Sequence, residues 1–567
     1  MASSDFSVPQ ELNPGVDRSP AAPAVSRRIY IPPSNGTTFQ QNGDLQFRLP
    51  TAEPGSILDA RYTYMKFTVE VEFEKTPIAV GPGISIESSW RWPASGGNSL
   101  FERLEVYQGG TPIEQISHYN IIAKKYFQQE AGSIGLPSWY PGFFLNNKSG
   151  TNYRQGTAPT TEYEQATGAH RVFTAQTQTV DDVPADYRLS KTFTFCVPIL
   201  SGLVGLWSEK YLPLMLLGVS SLFLNFKLTD LQTFLEPIWS STTDDREHPW
   251  GAPGGSATTS IGMDVYPTTF QNTLIAGNSM VSNGENKGFP NKFTMTNVEL
   301  VCTQILLLPS VTQLVYANAN QNSISWTTTS KRDYPQIMAG TAGGWGKPID
   351  PSGADTVSYD LIIPCRLQSV RNFDIIMSYI GNVAFASAHG AETNWWHPWD
   401  HSCFLNPIYT SLQYKKGSDF FPQRPMTQSQ SGTLAWPIGC GAEFTSEQMI
   451  SDASWEPYNE KSGFGFIKDQ RWVASGPSPF FKQLGTYSVS QDCRTFRGVD
   501  ASTRSGISFE KEQFNVAFSI VPQGGNVGAT AVDASNPMAM NYFRFHFIPT
   551  YDMMVTITPT GSMEVAF

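Results

Sequence analysis

Charge is scarce in this sequence. Only 15% of its 567 residues are charged, against ~25% in ordinary soluble proteins, and the net charge is −11. Basic residues form no run longer than a pair, as at Arg27–Arg28 and Lys124–Lys125. That excludes the basic stripe by which proteins grip a phosphate backbone, so no sequence-specific nucleic acid is expected as a partner. Long apolar runs are missing too. The nearest, Leu212 to Phe226, is broken by Pro213, Gly218 and two serines and falls short of the ~20 residues a span needs. Buried strands are expected there. The opening MASSDFSVPQELNPG has no apolar stretch of the kind a secretory signal carries, so the sequons at Asn35 and Asn147 are expected to be unused. Cysteine is sparse and scattered: Cys196, Cys302, Cys365, Cys403, Cys440 and Cys493. That spacing offers no CxxC pair and no dense disulfide framework. Cys196 and Cys302 lie in apolar runs, where a free thiol serves as a small hydrophobe, as suits assembly in a reducing compartment.

Catalytic signatures are absent as well. No GxSxG elbow and no HExxH pair occurs. GTAGGWGKP, Gly340 to Pro348, has a glycine spacing one too long for a phosphate loop, and Pro348 stands where a magnesium-binding hydroxyl is needed. It reads as a glycine-rich turn. NWWHPWDHSC gathers His397, Asp400, His401 and Cys403, with His389 and Glu392 nearby. Pro398 prevents a regular helix from aligning the histidines, while Trp395, Trp396 and Trp399 suit a packed or interfacial loop. Whether His397 and His401 take a metal stays open. The expectation is therefore no catalytic residue, no cofactor, no assigned metal ligand, and a protein that is not an enzyme.

What is abundant is glycine, proline and aromatic residues: 47 glycines, 40 prolines and an aromatic share of 13%. Together with low charge they point to an all-β protein with long ordered loops and large protein–protein surfaces. Residues 1–44 lack sustained periodicity and read as an extended arm. In YTYMKFTVEVEFEK, Phe67, Val69, Val71 and Phe73 take one strand face; Glu70, Glu72 and Glu74 take the other, a solvated row. RLEVYQGGTPI predicts a hairpin turning at Gly109–Gly110, and SLQYKKGSDFF repeats its plan in the second half. SHYNIIAKKYFQQEAG has helical spacing through Tyr119, Ile122 and Tyr126, with Ser117 as expected cap and Gly132 as stop. Residues 133–188 and 236–291 are polar and long enough to be surface excursions. FTMTNVELVCTQILLLP reads as paired strands, SYDLIIPCRLQSVRNFDIIMSYI as two more, and ISFEKEQFNVAFSIVP as the lead into the closing strands. From Asn541, Phe543, Phe545 and Phe547 alternate with Arg544 and His546, and Met553, Val555 and Ile557 continue the period of two. Pro559 and Gly561 then turn the chain into a final apolar run ending at Phe567.

Two stretches resemble the major capsid proteins of double jelly-roll DNA viruses. One is the apolar strand ending at Val197–Pro198, the element Leu212–Pro213–Leu214, and the strand Leu222 to Leu228. The other is the closing segment with Tyr551, Val555, Gly561 and Phe567, where Asp552 replaces the family's usual Asn. The opening segment typical of giant and large algal viruses, with paired phenylalanines and basic residues, is lacking. The chain looks more like the polinton-like virus and virophage group.

The resemblance implies two consecutive eight-stranded jelly rolls with long inserted loops and a few short helices. The expected division is an arm over 1–44, a first roll over 45–235, a connecting region over 236–292 and a second roll over 293–567. The implied function is a major capsid protein of an icosahedral shell, located in the virion and assembled inside the host cell. Its expected partners are itself as a homotrimer of pseudo-hexagonal outline, neighbouring capsomers, and penton and minor capsid proteins; an internal membrane is compatible with it. The rival readings are a carbohydrate-binding or carbohydrate-active β-sandwich, and a minor capsid component.

Overall fold

The computed structural model describes residues 24–51, 53–73, 88–91, 95–126, 171–174, 189–208, 210–218, 221–230, 234, 236–239, 290–321, 323–339, 357–381, 409–426, 489–493, 506–520 and 542–567. The first half contains β1 (Ala24–Ile31), β2 (Phe39–Gln40), β3 (Asp44–Leu49), β4 (Ser56–Phe73), β5 (Ser88–Arg91), β6 (Phe101–Gln108) and β7 (Thr111–Ser117). The short helix α1 (Tyr119–Lys125) follows, then β8 (Arg171–Thr174), β9 (Leu189–Pro198), β10 (Leu222–Leu228), β11 (Glu236–Trp239) and β12 (Pro290–Leu307). Helix α2 (Pro309–Gln321) leads into β13 (Ile324–Lys331), β14 (Tyr334–Ala339), β15 (Val357–Ile363), β16 (Val370–Gly381), β17 (Tyr409–Lys416) and β18 (Asp419–Met426). The chain finishes with β19 (Val489–Asp492), β20 (Phe514–Ile520), β21 (Tyr542–Ile557) and β22 (Met563–Ala566).

These strands form two pairs of antiparallel sheets. One pair is β1-β12-β4-β9, with β2 also on β12, and β3-β10-β6-β7. The other is β13-β21-β16-β19, with β14 and β22 on β21, and β15-β20-β17-β18. Counting β1 with β2, and β13 with β14, as single interrupted strands, each unit has eight barrel strands. In both, one sheet joins the first, eighth, third and sixth strands and the other the second, seventh, fourth and fifth. This shared order is the eight-stranded jelly roll. The fold is a tandem of two. A third small sheet, β11-β5-β8, is built from insertions into the first roll.

Period-two alternation drives each roll inward. In β10, Leu222, Leu224, Phe226 and Leu228 are fully buried, while the residues between them are half-buried. Phe226 meets Phe101 and Phe47 with ring centroids 5.1 and 6.3 Å apart, and Phe67 sits edge-on to Phe101 at 5.8 Å. The second core is equally aromatic. Phe373 lies 4.8 Å from both Tyr414 and Phe547, and Phe514 lies 5.1 Å from Phe547. The turn of β6–β7 places Gly109 and Gly110 at φ 56° and 89°, and Gly417 takes φ 57° between β17 and β18. L side chains disfavour such values, so both hairpins turn where their glycines predict.

Several boundaries differ from expectation. The FTMTNVELVCTQILLLP segment belongs to one long strand, β12, and not to a pair. Asn297, at φ 51°, absorbs an irregularity in the register with β4 between Thr296 and Glu299, so pairing resumes beyond it. Because β12 pairs with β1, β2 and β4, residues 290–307 close the first roll. The second roll therefore does not begin at 293. Residues 24–31 of the expected arm are part of the first roll: β1 pairs with β12 from Ala24↔Leu307 to Ile31↔Leu300. Ser117 ends β7 instead of capping α1. His118 occupies the cap position in a left-handed conformation, φ 49°, and makes no side-chain cap hydrogen bond. Helix α2 carries no periodicity strong enough to have been expected. Gly132, Gly340–Pro348 and Asn394–Cys403 lie outside the described residues.

Candidate functional site

Polar side chains with chemical potential converge where the two rolls meet. Strand β7 lies at the edge of its sheet. It, the corner into α1 and the loop after β9 approach β13, β21 and β22 of the second roll. Three buried clusters span the seam.

The first centres on Glu114 of β7, 1% exposed. Its carboxylate accepts hydrogen bonds from Ser201 Oγ, from Gly202 N at 2.9 Å and, across the seam, from Ser330 Oγ at 2.5 Å. Burial pushes this carboxyl above the usual carboxylate range, and the donors offset part of that rise. Thr328 Oγ1 donates to Gly202 O at 2.7 Å. The backbones come so close that a Cβ on Gly202 would meet Thr329 O at 2.1 Å.

The second cluster is ionic. Lys125 Nζ of α1 lies 2.6 Å from Asp374 Oδ2 of β16, and Lys331 Nζ lies 4.0 Å from the same atom. All three residues are buried, so each charge depends on its partner. Lys331 also sits 5.8 Å above the Trp207 ring.

The third cluster joins His118, Asp333 and His546. Asp333 occupies the link between β13 and β14, where the first strand of the second roll is interrupted. His546 Nδ1 lies 2.7 Å from Asp333 Oδ2 and His118 Nδ1 lies 2.8 Å from the same oxygen. The two rings cross at 79° with centroids 5.5 Å apart. Asp333 and His546 side chains are fully buried; His118 retains 23% exposure. Burial acts to raise Asp333, but the adjoining imidazoles outweigh it and hold its carboxyl down to about 2. Burial also depresses His546, against the pull of Asp333.

At the far end of the seam, Gln108 of β6 clasps the chain terminus. Its Nε2 donates to Gly561 O at 2.8 Å, and its Oε1 accepts from Met563 N at 2.6 Å. Within the second roll, Asp552 is buried and held by Arg371 Nε and Ser369 Oγ, each at 2.5 Å. The anion at this position is thus matched by a cation.

Sequence reasoning placed His546 on the polar face of a half-buried strand. It is instead fully buried, because the first roll covers that face. His118 and Asp333 were not singled out; the only local signals are a histidine where a helix cap belongs and an aspartate between two strand patterns. None of the four described cysteines, Cys196, Cys302, Cys365 and Cys493, is joined in a disulfide, and burial raises the Cys302 thiol to about 12. Glu70 is exposed and Glu72 faces Lys292 at 3.8 Å, so the described part of that carboxylate row is a solvated strand face. No described helix is long and apolar enough to cross a membrane.

Fold and seam together define a tandem of jelly rolls locked by buried polar contacts. No family model and no curated relative matches the chain. Similar solved structures include a chain of the Sputnik virophage, at 13% identity and TM-score 0.48, covering 98% of this chain and 92% of that one. Another is PBCV-1 VP54 fitted into a reconstruction of Sputnik, at 9% identity and TM-score 0.46, covering 97% and 98%. A third is the mavirus major capsid protein, at 10% identity and TM-score 0.44, covering 100% and 95%.

Proposed function

We propose that this chain is a major capsid protein that forms homotrimers and, through them, an icosahedral shell. The observation that carries the reading is the repeated strand order, with both rolls fixed to one another by a buried seam. A rigid two-lobed body is a tile: three copies around a threefold axis present six lobes, an outline that packs a plane without gaps. The sequence motifs at Val197–Pro198, Leu212–Leu214 and Tyr551–Phe567 support the same reading. So does the surface, since large side chains lie open on the isolated chain. Tyr30, Tyr62, Tyr211 and Leu314 are 57%, 53%, 60% and 64% exposed, as suits surfaces that are covered on association.

The test is light scattering on the purified protein, followed by electron microscopy. A stable trimer is expected at micromolar concentration, burying more than ~2,000 Å² per obligate interface, with shell-like particles under assembly conditions. A compact monomer at near-neutral pH that binds glycans on an array would overturn the reading in favour of a carbohydrate-binding protein.

A further inference from the structure

We propose that His118, Asp333 and His546 form a binding site for a divalent transition metal of the zinc class, and that the ion staples the first jelly roll to the second. One ligand comes from each of three separate places: the β7–α1 corner, the β13–β14 link and the middle of β21. The ligand atoms all lie within 4.8 Å of one another.

Four observations favour a metal over a closed hydrogen-bonded triad. Asp333 Oδ1 is buried without a hydrogen-bond partner, and His118 Nδ1, despite its 2.8 Å distance, makes no aligned hydrogen bond. Buried polar atoms are nearly always satisfied, so unmatched ones at one point mark a missing partner. His118 is held at φ 49°, a backbone state unfavourable for any residue with a Cβ, and such strain gathers where a side chain must be aimed. Finally, two imidazoles and one carboxylate suit zinc, and imidazole disfavours magnesium and calcium.

The required adjustment is small. Zinc bonds of about 2.1 Å separate tetrahedral ligands by about 3.4 Å, against the present 2.7 and 2.8 Å. Opening the cluster by a fraction of an ångström makes room for the ion. Water can fill the fourth position from the side of His118, the one ligand with exposure. Each neutral imidazole ligates through an unprotonated Nδ1, its one ring proton then residing on Nε2. The charge of Arg544 reaches His546 and opposes a cation, so binding weaker than at an all-thiolate site is expected.

The experiment uses the full chain, stripped with a chelator, dialysed, and then equilibrated with zinc chloride. About one zinc per chain by mass spectrometry of the metal, and a raised melting temperature, are expected. Cobalt added to the wild-type chain should give the visible absorption of a four- or five-coordinate histidine site; an octahedral spectrum with no thermal shift would overturn the proposal without recourse to any variant. His118→Ala, at the partly exposed ligand, should lose the zinc and the thermal shift while melting as the chelated parent does. The paired control is His397→Ala with His401→Ala, expected to retain both. Zinc lost in that control but kept in His118→Ala would place the metal elsewhere and overturn the assignment.

Discussion

At the scale of single residues, the seam sets two sharp requirements. Gly202 has no room for a side chain, because the obstacle is the Thr329 carbonyl on the other roll. Backbone on both sides cannot rotate aside. Gly202→Ala should therefore destabilise the protein by about 3 kcal/mol, the upper part of the usual overpacking range, read from a urea or thermal melt. Glu114 sets the second. Its carboxyl is raised in the folded state because burial disfavours the charge. The stability it contributes is fully present below the unfolded carboxylate value and is lost as pH rises through the folded value. Melting temperature should fall along that window in the parent and fall less in Glu114→Gln; equal slopes in the two proteins would show that Glu114 does not titrate there. None of this was legible in the sequence. Glu114 sits in a hairpin strand like many exposed glutamates, and Gly202 in a loop whose partner lies in another roll.

At the scale of elements, much more could be read in advance. The hairpins at Gly109–Gly110 and Gly417, the buried strand from Leu222, and the closing run to Phe567 all follow from alternation and turn chemistry, which act locally. The misreadings also have local causes. Thr296–Asn297 looks like a turn, and only pairing with β4 shows that the chain runs straight through. β1 looks like part of an arm because its own residues are mostly exposed, and its place comes from backbone pairing with β12. The correction moves a prediction. Deleting residues 2–22 leaves β1 whole and should preserve trimers by light scattering while weakening shell formation. Deleting residues 2–40 strips β12 of its neighbour, exposes an edge open to aggregation, and should abolish trimers. At the opposite terminus, Met563 is 3% exposed, and Gln368 N donates to Phe567 O at 3.0 Å. Truncation from Gly561 removes burial of about 1.5–3 kcal/mol per large side chain and the Gln108 clasp. Loss of a cooperative melt at the parental temperature is expected.

At the scale of the whole molecule, the rolls share one strand order but meet unlike with unlike: an edge and corner of the first against a sheet of the second. Sequence could suggest the duplication, since the order of elements recurs, but not this mode of meeting, which depends on residues far apart in the chain. The small sheet β11-β5-β8 carries a different consequence. Its strands come from three separate insertions, between β4 and β6, between β7 and β9, and between β10 and β12, yet they pair with each other. They form a cassette. Exchanging the β5 insertion alone would orphan the other two, and exchanging either flanking insertion would strip β5 of one neighbour, whereas replacing all three together would leave every barrel strand in place. A lineage or an engineer altering this sheet would thus have to trade its three insertions as a set.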